Sequence, residues 1–348
     1  MPVRKARIGL REVTHSHREI PLTSLTSVLC VIAGALLASM PVLAADPSAG
    51  YPVKPIRFIA PNLPGGPTDI LARLIGQKLS ESLGQPVVVE NRPGAAGNIG
   101  TEVAAKSLAD GYTLVTGNNA TFGANVSLYS RLGFDPVKDF APVVLVATQP
   151  NILVVHPSLP VDSVKGLIAL ARARPGALNY SGSGMGAAAH LAAELFKSMT
   201  KTSIVHVPYR SAAPALTELI AGQTQLMFAT SLSVVPHIKA HRVRALGVTT
   251  AKRSRLMPEL PTIAEAGVPG FEATTWHGVL VPGGTPTAIV DKLNAEINRM
   301  LQSADVRDRL HTLGAEIVGG TPKEFADHIQ REIPKWAKVV KESGARAE

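Results

Sequence analysis

Two glycine-rich stretches hold the residues best suited to chemistry. In Pro61-Asn-Leu-Pro-Gly-Gly-Pro-Thr-Asp69 a short apolar run passes into an amphipathic helical pattern. Gly65 and Gly66 let the backbone come close to a ligand, and the open N–H groups of a helix start, with the positive end of its dipole, favour an anion such as a carboxylate. Pro64, Gly65, Gly66, Thr68 and Asp69 are therefore candidate contacts; the plainer alternative is a tight turn capped by Thr68 or Asp69. Tyr180-Ser-Gly-Ser-Gly-Met-Gly186, followed by Ala187-Ala-Ala-His190, repeats the design with hydroxyls added. It contributes Ser181, Ser183, Gly184, Gly186 and His190, although the serines could equally be turn and capping residues and His190 a satisfied structural histidine. Three further polar turns follow apolar runs. Asn118, Asn119, Thr121 and Asn125 form one, Thr230-Ser-Leu-Ser233 with Ser231 another, and Tyr209-Arg210-Ser211 the third. Arg210 is the natural charge partner for a carboxylate, unless it pairs with a structural acid.

Other chemistries are poorly served. No G-x-S-x-G elbow is present, because the glycines around Ser181 and Ser183 are wrongly spaced. Gly182-x-Gly184-x-x-Ala187 satisfies the loose dinucleotide pattern, yet the next apolar run ends in His206-Val-Pro-Tyr-Arg210 with no acid to hold a ribose. His237 and His241 are four apart and could share a helix face, but no H-E-x-x-H glutamate accompanies them and Lys239 and Arg242 surround them, which reads as a surface pair. Neither metal nor cofactor is expected. Few aromatics and the lack of a Lys/Arg block beyond the N-terminal segment argue against nucleic acid as a partner.

The elements that must position these residues alternate. Ile56–Ala60, Pro86–Glu90, Tyr112–Thr116, Ile152–Val155, Ser203–Val207 and Val243–Val248 read as buried strands of the kind found in parallel sheets. Between them, Leu71, Leu74, Ile75, Leu79 and Leu83 share one helical face with Gly84 as its stop, and Thr285-Pro286 opens a helix through Ile289, Leu293, Ile297 and Leu301. The alternation predicts an α/β fold. Roughly 300 residues is much for one open sheet, so two lobes are expected. Val143–Val155, interrupted only by Thr148-Gln-Pro-Asn151, and Val243–Thr250 look like two crossing segments that would form a hinge. Lobe 1 would combine residues 46–147 with 248–348, and lobe 2 would be 148–247.

The N-terminus carries Arg4, Lys5, Arg7, Arg11 and Arg18, an apolar stretch from Leu25 to Leu37, and the small-residue site Val42-Leu43-Ala44, the order of a cleavable signal peptide spanning residues 1–44. Its removal takes away Cys30, the one cysteine, so the mature chain needs neither disulfides nor a reducing compartment. Five Lys/Arg and two Asp/Glu leave with it from totals of 35 and 26, so 30 bases and 24 acids remain, a net charge of +6. A mildly basic exported protein suits anions, and no later segment reaches the length of an apolar membrane helix.

Taken in order, Tyr51-Pro-x-Lys-Pro-Ile-Arg57, Pro64-Gly-Gly-x-x-Asp-x-x-Ala-Arg73, Glu90-Asn-Arg-Pro-Gly-Ala-x-Gly-Asn-Ile-Gly100, Asp110-Gly-Tyr-Thr113, Val207-Pro-Tyr-Arg210, Pro261-Thr-x-x-Glu-Ala-Gly267 and Trp276-x-Gly278 resemble the Bug or TctC family, the periplasmic solute receptors of tripartite tricarboxylate transporters. The resemblance covers nearly the whole chain beyond the signal peptide. It implies a two-lobed Venus-flytrap fold, a small carboxylate held largely by the amides of the loops at Pro64–Asp69 and Ser181–Gly186, and a two-subunit membrane permease as partner. The expected protein is a periplasmic monomer without turnover. Asn62-Leu63, Ala96 and Ser211 depart from the family pattern. An exported hydrolase using Ser181 or Ser183 with His190, and a ligand-sensing partner of a membrane receptor, are the competing expectations.

Overall fold

A computed structural model describes residues 48–183, 186–209, 212–255 and 257–347; the predicted signal peptide, with Cys30, lies outside them. In chain order these residues form β1 (Ile56–Ala60), α1 (Pro67–Leu83), β2 (Val87–Asn91), α2 (Asn98–Ala105), β3 (Thr113–Asn118), α3 (Asn125–Leu128), β4 (Phe140–Gln149), β5 (Asn151–Val155), α4 (Val164–Ala173), β6 (Leu178–Ser183), α5 (Ala188–Thr200), β7 (Ile204–Tyr209), α6 (Ala212–Ile220), β8 (Leu226–Thr230), α7 (Ser231–Lys239), β9 (Arg244–Val248), β10 (Thr275–Pro282), α8 (Thr287–Leu301), α9 (Ala304–Thr312), β11 (Glu316–Ile317) and α10 (Pro322–Ser343). None of the described helices is long and apolar enough to cross a membrane.

The strands build two sheets, ordered β11-β4-β10-β3-β1-β2 and β7-β6-β8-β5-β9. Both are mixed, which corrects the expectation of parallel sheets. β1 pairs in parallel with β2 and β3, and β6 with β7 and β8, but β10 runs antiparallel to β3 and β4, and β5 antiparallel to β8 and β9. The crossings impose this. β4 leaves the first sheet at Gln149 and β5 enters the second at Asn151; β9 leaves the second at Val248 and β10 enters the first at Thr275. A strand that enters a sheet at the edge toward which its neighbours run must point the opposite way.

Core membership does not follow chain order. Ile263, Val268 and Phe271, from the segment after β9, pack with Leu153, Phe196 and Phe228 of the second sheet's domain. The last helix, α10, touches both domains. Its first turns carry the capping box Thr321/Glu324 and bury Phe325 and Ile329 with Trp276 and Phe122. Its last turns bury Trp336, Val339 and Val340 against Leu191 and Phe196. Other local signals shift slightly. The helix expected to open on Thr285-Pro286 begins at Thr287 with Pro286 as its N-cap, because the Thr285 hydroxyl donates to the Pro282 carbonyl instead. The helix α7 ends at Lys239, so His241, in the left-handed region at φ 55°, does not share a helix face with His237.

Glu332, midway along α10, is the buried charge on which this bridge turns. Its Oε2 accepts from Trp276 Nε1 at 3.0 Å and Trp336 Nε1 at 2.7 Å, and Lys335 donates to Oε1 at 2.7 Å. Burial pushes the carboxyl up, but Lys335 and the hydrogen bonds overcome that and hold it below the ordinary carboxylate range. Replacing Glu332 with Ala would strand two indole N–H groups in the interior and leave the half-buried Lys335 without its carboxylate, so Glu332→Ala should lower unfolding stability by about 3 kcal/mol in denaturant titrations; a loss well under 1 kcal/mol would show that the bridge does not depend on it.

Candidate functional site

Register places the candidate residues along one edge of each sheet. In the first sheet β1 and β3 run side by side, with Ile59 opposite Val115, so the loop after Ala60 emerges beside Thr116–Asn118, and Asn118 itself faces His277. In the second, Ser183 lies opposite Tyr209, Tyr180 opposite Leu226, and Thr230 opposite Asn151. The loops after β1, β3, β6, β7 and β8 therefore leave from the same edges at which the chain crosses between sheets. Strand ends of this kind are where α/β folds put their ligands.

The first loop is shaped to leave donors open. Gly66 is the N-cap of α1 at φ −78°, ψ 166°, and no side chain caps the helix. Pro67 has no N–H, and the backbone ladder begins with Ile70 donating to Gly66 O at 3.0 Å. The N–H groups of Thr68 and Asp69 thus have no partner among the described residues. The Asp69 side chain braces the loop. It accepts from Gly65 N at 2.8 Å, Arg73 Nε at 3.1 Å and Asn91 Nδ2 at 2.8 Å. Burial alone would raise the Asp69 carboxyl; Arg73, Gly65 and Asn91 outweigh it and hold the group below its ordinary value. Its contribution is therefore present above the unfolded pKa and disappears as pH falls through the folded one. Gly65 sits at φ 81°, where only glycine is unstrained.

Around this loop opens a cleft of about 770 Å³ whose walls include Pro61, Leu63, Pro64, Pro93 and Ala96. Leu63 is 69% exposed there. The segment Gly94–Gly100 closes one side and was not singled out as a site from the sequence, although its glycines were visible in the Glu90–Gly100 motif. A Cβ on Gly100 would lie 2.9 Å from Pro61 Cα, and one on Gly97 2.8 Å from Thr121 Cγ2. Ala96 adopts φ 53°, ψ 30°, a left-handed conformation costing a non-glycine residue roughly 1 kcal/mol. This is the physical reason a glycine would be favoured at that position.

The second loop shares the design. Helix α5 starts after Ala187 with no side-chain cap, and Leu191 is the first residue to donate back, to Ala187 O at 2.9 Å. The N–H groups of Ala188 and Ala189 therefore have no partner among the described residues. Gly186 has φ 81°, and a Cβ there would lie 2.7 Å from Leu128 Cδ1, which places the loop against α3. Its own N–H is engaged, donating to His190 Nδ1 at 3.3 Å. Ser181 is buried and its Oγ has no partner among the described residues. Ser183 reaches the edge through its backbone pairing with Tyr209. Gly184 and Arg210 lie outside the described residues.

The remaining candidates divide by role. Asn118 Oδ1 accepts from Ala120 N at 2.9 Å and Thr121 N at 3.1 Å, which forms the turn after β3. Ser231 donates to Gly314 O at 3.4 Å, tying α7 to the segment between α9 and β11. Tyr209 is half-buried at the end of β7. Buried atoms without a partner among the described residues at the same edges include Asn62 Oδ1, Asn125 Oδ1, both amide atoms of Asn151, Thr275 Oγ1 and His277 Nδ1. Asn151 had a signal in the sequence, as the polar end of the break in an otherwise apolar run. No group of three or more His, Cys, Asp or Glu side chains able to hold a metal occurs among the described residues. Open helix starts alone do not mark a site, since α8 is uncapped as well; the coincidence of two with the crossing edges does.

Two α/β domains joined by two strand crossings, with open helix starts at the joined edges, define a solute-binding protein of the periplasmic-binding-protein fold. The profile described as "Tripartite tricarboxylate transporter family receptor" matches residues 71–345, and the chain belongs to that family. It is 40% identical over 324 residues to protein BugT of Bordetella pertussis, covering 93% of this chain and 99% of the relative. Among solved structures it is similar to Rpa4515 of R. palustris with adipate, at 44% identity and TM-score 0.73, covering 85% of this chain and 99% of that one. MatC of Rhodopseudomonas palustris with bound malate is 35% identical, at TM-score 0.70, covering 83% of this chain and 100% of that one.

Gly66 lies at an extended φ that any residue tolerates, and a Cβ there would meet only Leu63 O, at 3.5 Å. Gly66→Val should accordingly fold with a melting temperature close to wild type while its side chain crowds a ligand at the Thr68 and Asp69 amides and weakens binding at least about tenfold, the scale of a modest overpacking cost of about 1–3 kcal/mol. Unchanged affinity in calorimetry would remove the first loop from the site.

Proposed function

We propose that the protein captures a small carboxylate between its two domains outside the inner membrane and delivers it to the membrane subunits of a tripartite tricarboxylate-type transporter. The observation that carries this reading is the pair of open helix starts, Thr68–Asp69 and Ala188–Ala189, one per domain at the edges where the chain crosses. Each supplies N–H donors and a dipole suited to an anion. The adipate and malate held by the two related structures support the ligand class. A ligand touching both loops would favour the closed arrangement by its differential contacts, with the two crossings as the hinge. In this reading the contacts are made by Pro64, Gly65, Gly66, Thr68 and the backbone N–H of Asp69 on one side and Ser181, Ser183, Gly184 and Gly186 on the other, with His190 supporting the second loop and Asn118, Tyr209, Arg210 and Ser231 at the rim. The lobes would be residues 46–147 with 248–348, and 148–247, with the packing of Ile263–Phe271 favouring a second lobe that extends past β9.

The first domain's wall suggests what the rest of the ligand is like. Its nearby cations are committed: Arg73 to Asp69, and Arg57 and Arg92 to Glu90. Leu63 and the prolines offer apolar surface beside the open amides. A carboxylate with an apolar body suits that wall better than a compact, heavily charged one. The reading includes no bond chemistry, cofactor or metal. Ser181 Oγ makes no hydrogen bond to His190, whose Nδ1 serves the loop, which disfavours a serine hydrolase built on that pair. Export by cleavage after residue 44 and a monomeric state belong to the same proposal.

A thermal-shift panel of mono-, di- and tricarboxylates, including adipate and malate, tests it on the mature chain. Saturation at 100 times Kd adds about 2.7 kcal/mol, so at least one aliphatic carboxylate should raise the melting temperature by several degrees. No shift across the panel would count against the carboxylate reading.

A further inference from the structure

Beneath the second loop lies a buried polar assembly that contact with a ligand does not by itself require. The rings of Tyr180 and His206 stack with centroids 4.7 Å apart and an interplanar angle of 17°, and His190 lies 4.7 Å from His206 and 6.5 Å from Tyr180. The Tyr180 hydroxyl donates to Glu194 Oε1 at 2.6 Å, and Lys197 pairs with the same carboxylate at 2.7 Å. The residues flanking the loop, Gly182 and Gly186, meet the two imidazoles. Gly186 N–H donates to His190 Nδ1. Gly182 passes so close to His206 that a Cβ would sit 3.0 Å from its Nε2, an atom buried without a partner among the described residues.

A ring nitrogen that accepts from a backbone N–H carries no proton, so this geometry requires His190 to be neutral with its hydrogen on Nε2. The surroundings enforce that state. Burial pushes His190 down to about 4; His206 and Lys197 act in the same direction, and Glu194 opposes without prevailing. Burial also lowers His206, again opposed by Glu194 and assisted by Lys197. Tyr180, the remaining titratable group facing the pair, is raised by burial and stays protonated and uncharged.

We infer that His190 is a positioning residue for the second half of the ligand site. As neutral acceptor of the Gly186 N–H it fixes the entry into α5, so that the open amides of Ala188 and Ala189 are aimed at the captured carboxylate, while His206 beneath Gly182 holds the loop's other end. The inference rests on the carboxylate reading for its consequence but on the loop alone for its geometry. With its folded pKa depressed, His190 keeps the loop in place from neutral pH down through weakly acidic conditions and releases it only as pH approaches about 4.

Two variants and two readouts test this. His190→Leu removes the acceptor, whereas His190→Asn offers its Oδ1 near the position of Nδ1. In ligand-free protein the Gly186 amide should exchange slowly with solvent, at least about tenfold faster in His190→Leu, and slowly again in His190→Asn. Adipate binding at about pH 7 should weaken about tenfold in His190→Leu and recover in His190→Asn. Because carboxylate ligands titrate near pH 4 to 5 themselves, the informative quantity is the ratio of wild-type to His190→Asn affinity, which should stay flat between about pH 7.5 and 5.5 and fall as pH nears 4. If His190→Leu does not fold, that ratio and the exchange of wild type against His190→Asn carry the test. Equal Gly186 exchange in wild type and His190→Leu, equal loss in both variants, or a ratio already falling above about pH 5.5 would overturn the inference. Failure of wild type to bind adipate would weigh on the carboxylate reading instead, leaving the exchange comparison to decide the role of His190.

Discussion

The first N–H groups of a helix need partners its own ladder cannot supply. At α4 and α10 the chain provides them: the Ser163 hydroxyl accepts from Gly166 N, and Thr321 and Glu324 close a capping box. At the joined edges it does not. Gly66 and Ala187 stand at the cap positions of α1 and α5, residues with no side chain able to turn back onto the helix. The donors stay open, and an anion is the partner best matched to them.

Holding such donors open demands rigidity from the neighbouring residues, and the two loops achieve it by different chemistry. The first uses a charge: Asp69 gathers Gly65 N, Arg73 and Asn91 around one carboxylate, so the polar side chain nearest the open amides is engaged away from them. The second uses neutral imidazoles: Gly186 N–H donates to His190 Nδ1, and burial keeps that ring uncharged. Behind both, α10 packs its first turns into one core and its last into the other, with Glu332 between two tryptophans. The helix is therefore a third link between the domains beside the two strand crossings.

Much of this was legible in the sequence. The apolar runs located β1, β3, β5, β7 and β9 to within a residue or two, because buried strands need continuous apolar chain. Both glycine-rich loops were identifiable, since positive φ at Gly65 and Gly186 admits little else. Strand direction was not legible: β5 and β10 look like their parallel neighbours in composition, and only the crossing decides that they run the other way. Nor was the role of Asp69, Asn118 or Ser231, because a polar residue in a loop reads the same whether it meets a ligand or braces the backbone. The Gly94–Gly100 wall was visible as a motif but not as a site, since its contact with Pro61 and Thr121 joins positions far apart along the chain.

The central claim is that one carboxylate engages open helix starts from both domains at once. Hydrogen exchange read with and without saturating adipate tests it most directly, at the Thr68 and Asp69 amides of α1 and the Ala188 and Ala189 amides of α5. The account predicts that exchange slows at both helix starts together. Slowing at only one of them, or at neither, while adipate is bound, would contradict capture between the domains.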